Sequence, residues 1–279
     1  MPDTQPTKSI LITGCSTGIG YDAAHGMRAQ GWRVFAACRK PEDCARLKAE
    51  GFDAPLLDYT DEDSIHAALA EVLAATGGTL DALFNNGAYG LPGAVEDLPT
   101  EGLRHIFETN FFGWHTLTRA VIPVMRAQGS GRIVQCSSVL GIVSIPWRGA
   151  YNATKFALEG LTDTLRIEMR GSGIHICLIE PGPIKTNFRI NAITHFERWI
   201  DWENAARATQ YRDNLRKRLY ESPKPDRFEL PAKAVTDKLI HALTHPRPRP
   251  RYYVTVPTYM AGLMRRLLPT WALDRVVGR

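Results

Sequence analysis

The sequence predicts an α/β domain built on a doubly wound parallel sheet of about seven strands. Three observations carry that prediction. Short apolar, β-branched runs alternate with helical patterns from Ser9 to Glu180. These runs are almost continuously apolar, as strands covered on both faces are. A glycine-rich turn stands between the first run and the first helical pattern.

The elements follow in order. Ser9–Thr13 (SILIT) reads as a buried strand, and Ile19, Ala23 and Met27 then recur at helical spacing. Arg33–Cys38 is a second strand and Pro41–Glu50 a helix. Ala54–Leu57 is a short third strand. Asp61–Thr76 is a helix, with Asp61 and Asp63 placed where the helix dipole favours negative charge. Leu80–Asn85 is a fourth strand, followed by two helical stretches through Met125. Arg132–Ser137 is a fifth strand. Tyr151–Arg170 is a helix with Leu158, Leu161, Leu165 and Met169 on one face, and Ile174–Glu180 is a sixth strand. Such alternation implies right-handed crossovers and a parallel sheet. Beyond Pro181 the rhythm breaks. Residues 187–230 carry Trp199, Trp202 and Tyr211 but no strand pattern, so they read as an insertion. A helix over Pro231–His245, a Pro/Arg stretch and a last strand at Tyr252–Val256 complete the series. No repeat or linker divides residues 1–279, which read as a single domain ending in a tail over 257–279.

Composition narrows the function classes. Of 279 residues, 44% are hydrophobic and 23% charged, an ordinary globular mix. The net charge of +5 is spread along the chain, without the aromatic-interleaved basic stripe of a nucleic-acid binder. Five cysteines, an odd number without a C-x-x-C pair, predict reduced thiols and no zinc site. The eight histidines form no H-E-x-x-H motif, so no metal site is expected. The start, MPDTQPTKS, has no signal-peptide pattern, and no apolar run reaches the roughly 18 residues of a membrane span. These features predict a cytoplasmic protein.

The turn after the first strand is Thr13-Gly14-Cys15-Ser16-Thr17-Gly18-Ile19-Gly20. Gly14 permits a tight turn, Gly18 lets backbone approach a pyrophosphate, and Gly20 lets the helix sit close to the sheet. The helix N-terminus offers free N–H groups to phosphates. The loop, with Ser16, Thr17 and Ile19 between its glycines, reads as a dinucleotide cradle, and strand-before, helix-after is the context that motif requires. In such folds an acidic residue ending the second strand binds a ribose 2′-hydroxyl, whereas a nearby Arg accommodates a 2′-phosphate. Here Cys38 takes the acidic position and Arg39 and Lys40 follow. The charge logic favours NADP(H), with NAD(H) the alternative.

Tyr151-Asn152-Ala153-Thr154-Lys155 places a phenol and an ammonium four residues apart, on one helix face. A free Tyr has a pKa near 10, and a neighbouring ammonium lowers it. Ser138 stands at the end of the preceding strand.

Together the T-G-x-x-x-G-I-G loop, Ser138 and Tyr151/Lys155 resemble the short-chain dehydrogenase/reductase family in its non-extended form, over about residues 8–190. Asn85-Asn86-Gly87-Ala88 is similar to the family's N-N-A-G, with Gly and Ala exchanged. The resemblance implies that Asp58 bonds the adenine and that Pro181-Gly182-Pro183-Ile184-Lys185-Thr186 holds the nicotinamide carboxamide. It implies that Ser138 bonds the substrate oxygen, Tyr151 exchanges its proton, Lys155 holds the nicotinamide ribose and Asn110 anchors a proton-relay water. It also implies a homo-oligomer through the helices bearing Asn110 and Tyr151.

Val139–Trp147, Tyr89, Leu91, Phe188 and the Trp199/Trp202 region are mostly apolar. They would line a pocket for an apolar aldehyde or ketone, or serve equally as plain core. Cys38-Arg39-Lys40-Pro41, Asn110-Phe111-Phe112-Gly113, Glu180–Ile184 and the pattern from Arg251-Tyr252 to Pro269 are similar to a bacterial branch of NADP-dependent aldehyde reductases, relatives of retinol and 17β-hydroxysteroid dehydrogenases. The expected activity is NADPH-dependent carbonyl reduction. The alternatives are oxidation of a hydroxysteroid, retinol-like or other apolar alcohol, and a non-catalytic NADP(H) sensor. The tail mixes apolar runs with Arg265, Arg266, Arg275 and Arg279. It reads as a helix packed over the pocket or a subunit interface, or as a basic amphipathic segment touching a membrane; Pro269 breaks its continuity.

Overall fold

The structure, a computed structural model, describes residues 7–221 and 226–278. The signal-peptide reading of residues 1–6 and the Arg279 contribution to the tail lie outside them.

Six strands form one all-parallel sheet among the described residues: β1 (Ser9–Thr13), β2 (Arg33–Ala37), β3 (Ala82–Asn85), β4 (Gly131–Cys136), β5 (Ile174–Glu180) and β6 (Arg251–Tyr253), in the order β2-β1-β3-β4-β5-β6. Helices α1 (Gly18–Ala29), α2 (Pro41–Ala49), α3 (Glu62–Thr76), α4 (Thr100–Phe107), α5 (Gly113–Gln128) and α6 (Gly149–Glu168) make the crossovers. The alternation of apolar runs thus forms the doubly wound sheet expected. Its strands are buried along almost their whole length, which is why they lack a polar alternation. Asp61 proves to be the N-cap of α3, accepting from the N–H groups of Asp63 and Ser64.

Two strand expectations need correction. Residues 54–57 do not form a strand of their own: the segment 53–57 runs beside β2 and Cys38 through the isolated bridges Phe35–Asp53 and Cys38–Leu56, with the Leu57 N–H donating to the Cys38 carbonyl at 2.9 Å. Pro55 lacks the N–H that a continuous ladder needs, although its carbonyl accepts from Cys38 at 3.3 Å. Among the described residues the sheet thus has six strands, close to the about seven expected. The last strand stops at Tyr253, because Val256 and Pro257 already begin a helix, a position where proline's missing N–H costs nothing.

Beyond β5 the chain folds as α7 (Phe188–Trp199), then α8 (Ala208–Gln210) running into wide π-type turns over Tyr211–Glu221, then α9 (Lys233–Thr244). After β6 come α10 (Val256–Leu267) and α11 (Thr270–Val277), with Pro269 between them as the break. The main core lies between the sheet and its helices. A second apolar cluster gathers Tyr89, Leu91, Ile106, Tyr151, Phe196 and Tyr211 beneath α7. A third, of Val143, Ala261 and Leu273, seats the tail. All five cysteines are free and buried.

Candidate active site

Because every strand runs the same way, Thr13, Asn85, Cys136 and Glu180 end on one edge of the sheet. The residues that follow them gather at the switch point, where β1 has β2 on one side and β3 on the other, the place at which such sheets open their ligand crevice.

The glycine loop is shaped by close approaches. Gly14 and Gly18 hold φ of 68° and 63°, which favour glycine. A β-carbon on Gly14 would stand 2.6 Å from the Gly87 Cα, and one on Gly20 would stand 2.3 Å from the Gly14 carbonyl oxygen. The exchange of Gly and Ala after Asn86 thus puts glycine where the two loops meet. Thr17, the N-cap of α1, makes no side-chain capping bond, so the first-turn N–H groups face the crevice without a cap. Thr186 closes this side, its methyl 3.0 Å from where a Gly18 Cβ would lie. A cradle that side chains would fill, under an uncapped helix end, fits the pyrophosphate of a dinucleotide.

The remaining predicted cofactor residues divide. Asn86 donates to the Thr13 carbonyl at 3.0 Å and braces the loop. Asn85 is fully buried: its amide receives the Tyr59 hydroxyl at 2.6 Å and donates to Thr118 and Gln135. Its side chain is committed to tying β3 to its neighbours. Asp58 accepts from the N–H and hydroxyl of Thr60. Ser16 gives its carbonyl to Arg46, and Ile19 packs against the core. Arg39 and Lys40 are exposed beyond β2, and Arg39 is near enough to Tyr89 to act on its phenol electrostatically. Pro181 accepts from the Val139 N–H at 2.8 Å, joining the segment after β5 to that after β4. Gly182 fits against the Thr255 and Thr258 hydroxyls, and Ile184 bridges to Leu230.

Ser138, Tyr151 and Lys155 come together. Ser138 caps the short turn Val139–Gly141, its hydroxyl accepting from the Leu140 N–H at 3.1 Å. Tyr151 lies in the first turns of α6, almost wholly buried. Burial pushes its phenol above the ordinary range, the nearby Cys136 adds to this, and a hydrogen bond with Ser138 opposes it. Lys155, one turn on, donates to the Cys136 carbonyl at 2.8 Å and stands 4.2 Å above the centre of the Trp114 ring. Burial pulls its ammonium down to about 8, while Cys136 and Glu159 work the other way. Asn110 occupies a π-type turn, Glu108–Phe112, between α4 and α5. Its amide clasps both backbone groups of Tyr89, at 3.1 and 2.8 Å, and so fixes the far wall of the crevice.

That wall is aromatic. The Tyr89 ring stacks 3.6 Å from His195, and its hydroxyl meets His105 at 2.7 Å. Burial draws His195 down to about 4, so it stays neutral. The Phe188 ring stands edge-on over Tyr151, 5.3 Å between centres. Leu91 is core beneath this wall, and Trp199 and Trp202 pack at its rim. The Val139–Trp147 segment splits: Leu140 and Trp147 join the aromatic cluster, whereas Val139, Ile142 and Val143 face the tail.

Two features escaped the sequence reading. Trp114 donates to the Gly87 carbonyl at 2.9 Å and carries the Lys155 cation on its face. Its signal was the four-residue step from Asn110 along one helix. Arg251 joins Glu180, at the end of β5, to Glu159 and Asp163 on α6. Lys155, Glu159 and Asp163 recur every four residues, a face visible in the sequence; the cation opposite them is nearly ninety residues away.

A nucleotide cradle at the switch point beside a Ser/Tyr/Lys set defines a nicotinamide-dependent oxidoreductase of alcohol or carbonyl groups. The chain matches the short chain dehydrogenase family over residues 8–195 and belongs to it. The oxidoreductase YbbO of Escherichia coli (strain K12) is 40% identical over 270 residues, 97% of this chain and 94% of that protein. Retinol dehydrogenase 8 of Homo sapiens is 36% identical over 192 residues, 65% of this chain and 60% of that protein. A short-chain dehydrogenase/reductase from Burkholderia phymatum, solved in complex with NAD, superposes with a TM-score of 0.77 at 26% identity, covering 94% of this chain and 92% of that one.

Proposed function

We propose that the protein is an NADPH-dependent carbonyl reductase that acts on an apolar aldehyde or ketone, with Tyr151 as the proton donor. The observation that carries this reading is a buried, neutral phenol held by Ser138 at the floor of an aromatic-walled crevice. Gly14, Ser16, Thr17, Gly18, Ile19 and Gly20 would hold the dinucleotide's phosphates, with Asn86 and Gly87 lining the cofactor site beside them. Asp58 would meet its adenine, Lys155 its nicotinamide ribose, and Pro181, Gly182, Ile184 and Thr186 its carboxamide. Arg39, with Lys40 beside it, would grip the 2′-phosphate, since no carboxylate at Cys38 repels one. The bound nicotinamide supplies the hydride.

The chain's own residues then handle the oxygen. Ser138 donates to the carbonyl oxygen as negative charge develops on it, and Tyr151 transfers its proton to that oxygen. Lys155, buried beside the phenol, stabilises the phenolate left behind. Asn110 keeps the Tyr89 wall in register and, by resemblance, anchors the water that returns the proton. The apolar wall excludes bulk water and selects an apolar body over a charged one. Oligomerisation through the helices bearing Asn110 and Tyr151, and a cytoplasmic location, belong to the same reading.

The likeness to retinol dehydrogenase 8 favours a second reading, oxidation of an apolar alcohol. Turnover of straight-chain aldehydes, retinal and steroid ketones with NADPH and with NADH separates the two. Aldehyde reduction with NADPH and little with NADH is the expected result; NADH preference would remove Arg39 as phosphate reader and put oxidation first. Tyr151→Phe should lower turnover by roughly 10²–10⁴-fold with the dissociation constant for NADPH unchanged. Undiminished turnover in that variant would sink the mechanism.

A further inference from the structure

The tail presents an exposed apolar stripe. On α10, Val256, Tyr259, Met260, Leu263 and Leu267 recur at i, i+3, i+4, i+7 and i+11, and all are exposed. These positions share one helix face. The opposite face, with Thr258, Ala261 and Gly262, is the one that packs. On α11 Trp271 and Val276 are exposed too, Trp271 by 67%. An apolar face pointing outward reverses the arrangement of an ordinary surface helix.

The charges around this face have one sign. Arg266 flanks the stripe, and Arg265 at the end of α10 and Arg275 on α11 are exposed as well; the acid on these two helices is Asp274. Tyr and Trp among the exposed residues are the types that settle at the headgroup level of a bilayer. The inner side of the same helices, through Ala261 and Leu273, packs on Val143, Val139 and Ile142, directly after Ser138. The outward face therefore lies one helix layer from the reaction centre.

We infer that α10 and α11 form a docking surface for an anionic lipid bilayer, on which the protein lies with its active-site side toward the membrane. No helix among the described residues is long and apolar enough to cross a membrane, so the contact is peripheral. A second copy of the chain is the weaker occupant, because a self-complementary contact would bring Arg265 and Arg266 near their own counterparts without enough acid to offset them. The inference goes beyond the proposed chemistry and does not depend on it, since vesicle binding is read without turnover.

The test is co-sedimentation of the full chain with phosphatidylcholine vesicles and with vesicles also containing phosphatidylglycerol, at low and high salt. Binding to the anionic vesicles, weakened by salt, is expected. Leu263→Glu and Trp271→Glu should each lower the affinity at least about tenfold, the order expected from one lost apolar side chain. Arg265→Gln/Arg266→Gln should lower it roughly fivefold per arginine. The circular dichroism spectrum and the melting temperature should be unchanged in these variants, which shows that they fold. Wild-type protein left in the supernatant with anionic vesicles would overturn the inference. So would Glu variants that bind as well as wild type, or a fall in oligomer mass by light scattering in Leu263→Glu, which would assign the face to a second copy.

Discussion

The two walls of the crevice are built from different materials. The nucleotide side is backbone: glycines at positions where no side chain fits, an uncapped helix end, and Asn86 bracing one loop against the next. The substrate side is side chains brought from distant segments: Tyr89 after β3, Trp147 before α6, and Phe188, His195 and Tyr211 beyond β5. On the first side the groups that make the fold also make the site, so a substitution there harms both. On the second side, rings can change with the sheet left intact.

The largest effect is expected where the end of β5 is bolted to α6. Arg251 lies between three carboxylates, and two of them, Glu159 and Glu180, are buried. Removing a buried partner leaves its charge uncompensated, so Arg251→Met should cost about 3–5 kcal/mol. The loss should depend on pH. Burial, and the charge of Glu159, raise the Glu180 carboxyl to about 8, with Arg251 opposing. A raised carboxyl contributes stability that is full below its unfolded value, near 4.5, and lost as pH rises through about 8. Burial also raises Glu159. Asp163, less buried, is lowered by its bonds to Arg166 and Arg251 against the effect of burial, and so has the opposite sign, its stability disappearing only in acid. Denaturation of the variant by urea should therefore show a deficit that grows from pH 5.5 to pH 8.5. A deficit constant over that range would mean the carboxylates are not held together as the geometry has them.

Gly14→Ala comes next and tests the nucleotide side alone. A non-glycine residue at positive φ costs about 1–2 kcal/mol. Overpacking against Gly87 adds about 1–3 kcal/mol. The melting temperature and NADPH affinity should fall together, by calorimetry of the free and cofactor-loaded protein. If the protein loses stability but binds NADPH as before, fold and site are separable here after all, and the contrast between the two walls fails.

The same contrast explains what was legible in the sequence. The sheet was, because strands buried on both faces leave unbroken apolar runs, and because Gly14, Gly18 and Gly20 mark a turn that little else requires. Ser138, Tyr151 and Lys155 were, because each follows a strand end or shares a helix face. Residues 54–57 misled, since their apolar run hides a proline that cannot complete a ladder. The Tyr89–His195 stack was not legible. Nothing local to either residue marks it, and it exists only because Asn110 grips the Tyr89 backbone while α7 folds back over it. Arg251 was hidden for the same reason: one cation's partners are set by which strand ends lie beside which helix.

The smallest effect on the fold, and the sharpest on the comparison, is expected from Phe188→Ala. Its ring is 39% exposed, so truncation should cost less than the roughly 3–5 kcal/mol of a fully buried phenylalanine and shift the melting temperature by only a few degrees. Yet the ring lies over Tyr151 and against Gly90, where an apolar substrate would meet it. Lost contact of this kind weakens ground state and transition state alike, so KM for a long apolar aldehyde should rise about tenfold with kcat little changed. The dissociation constant for NADPH should not move, because the backbone bond from the Phe188 N–H to the Thr186 hydroxyl survives the change. A shift in NADPH affinity as large as the shift in KM would show that α7 reports to the nucleotide side, and that the two walls act as one.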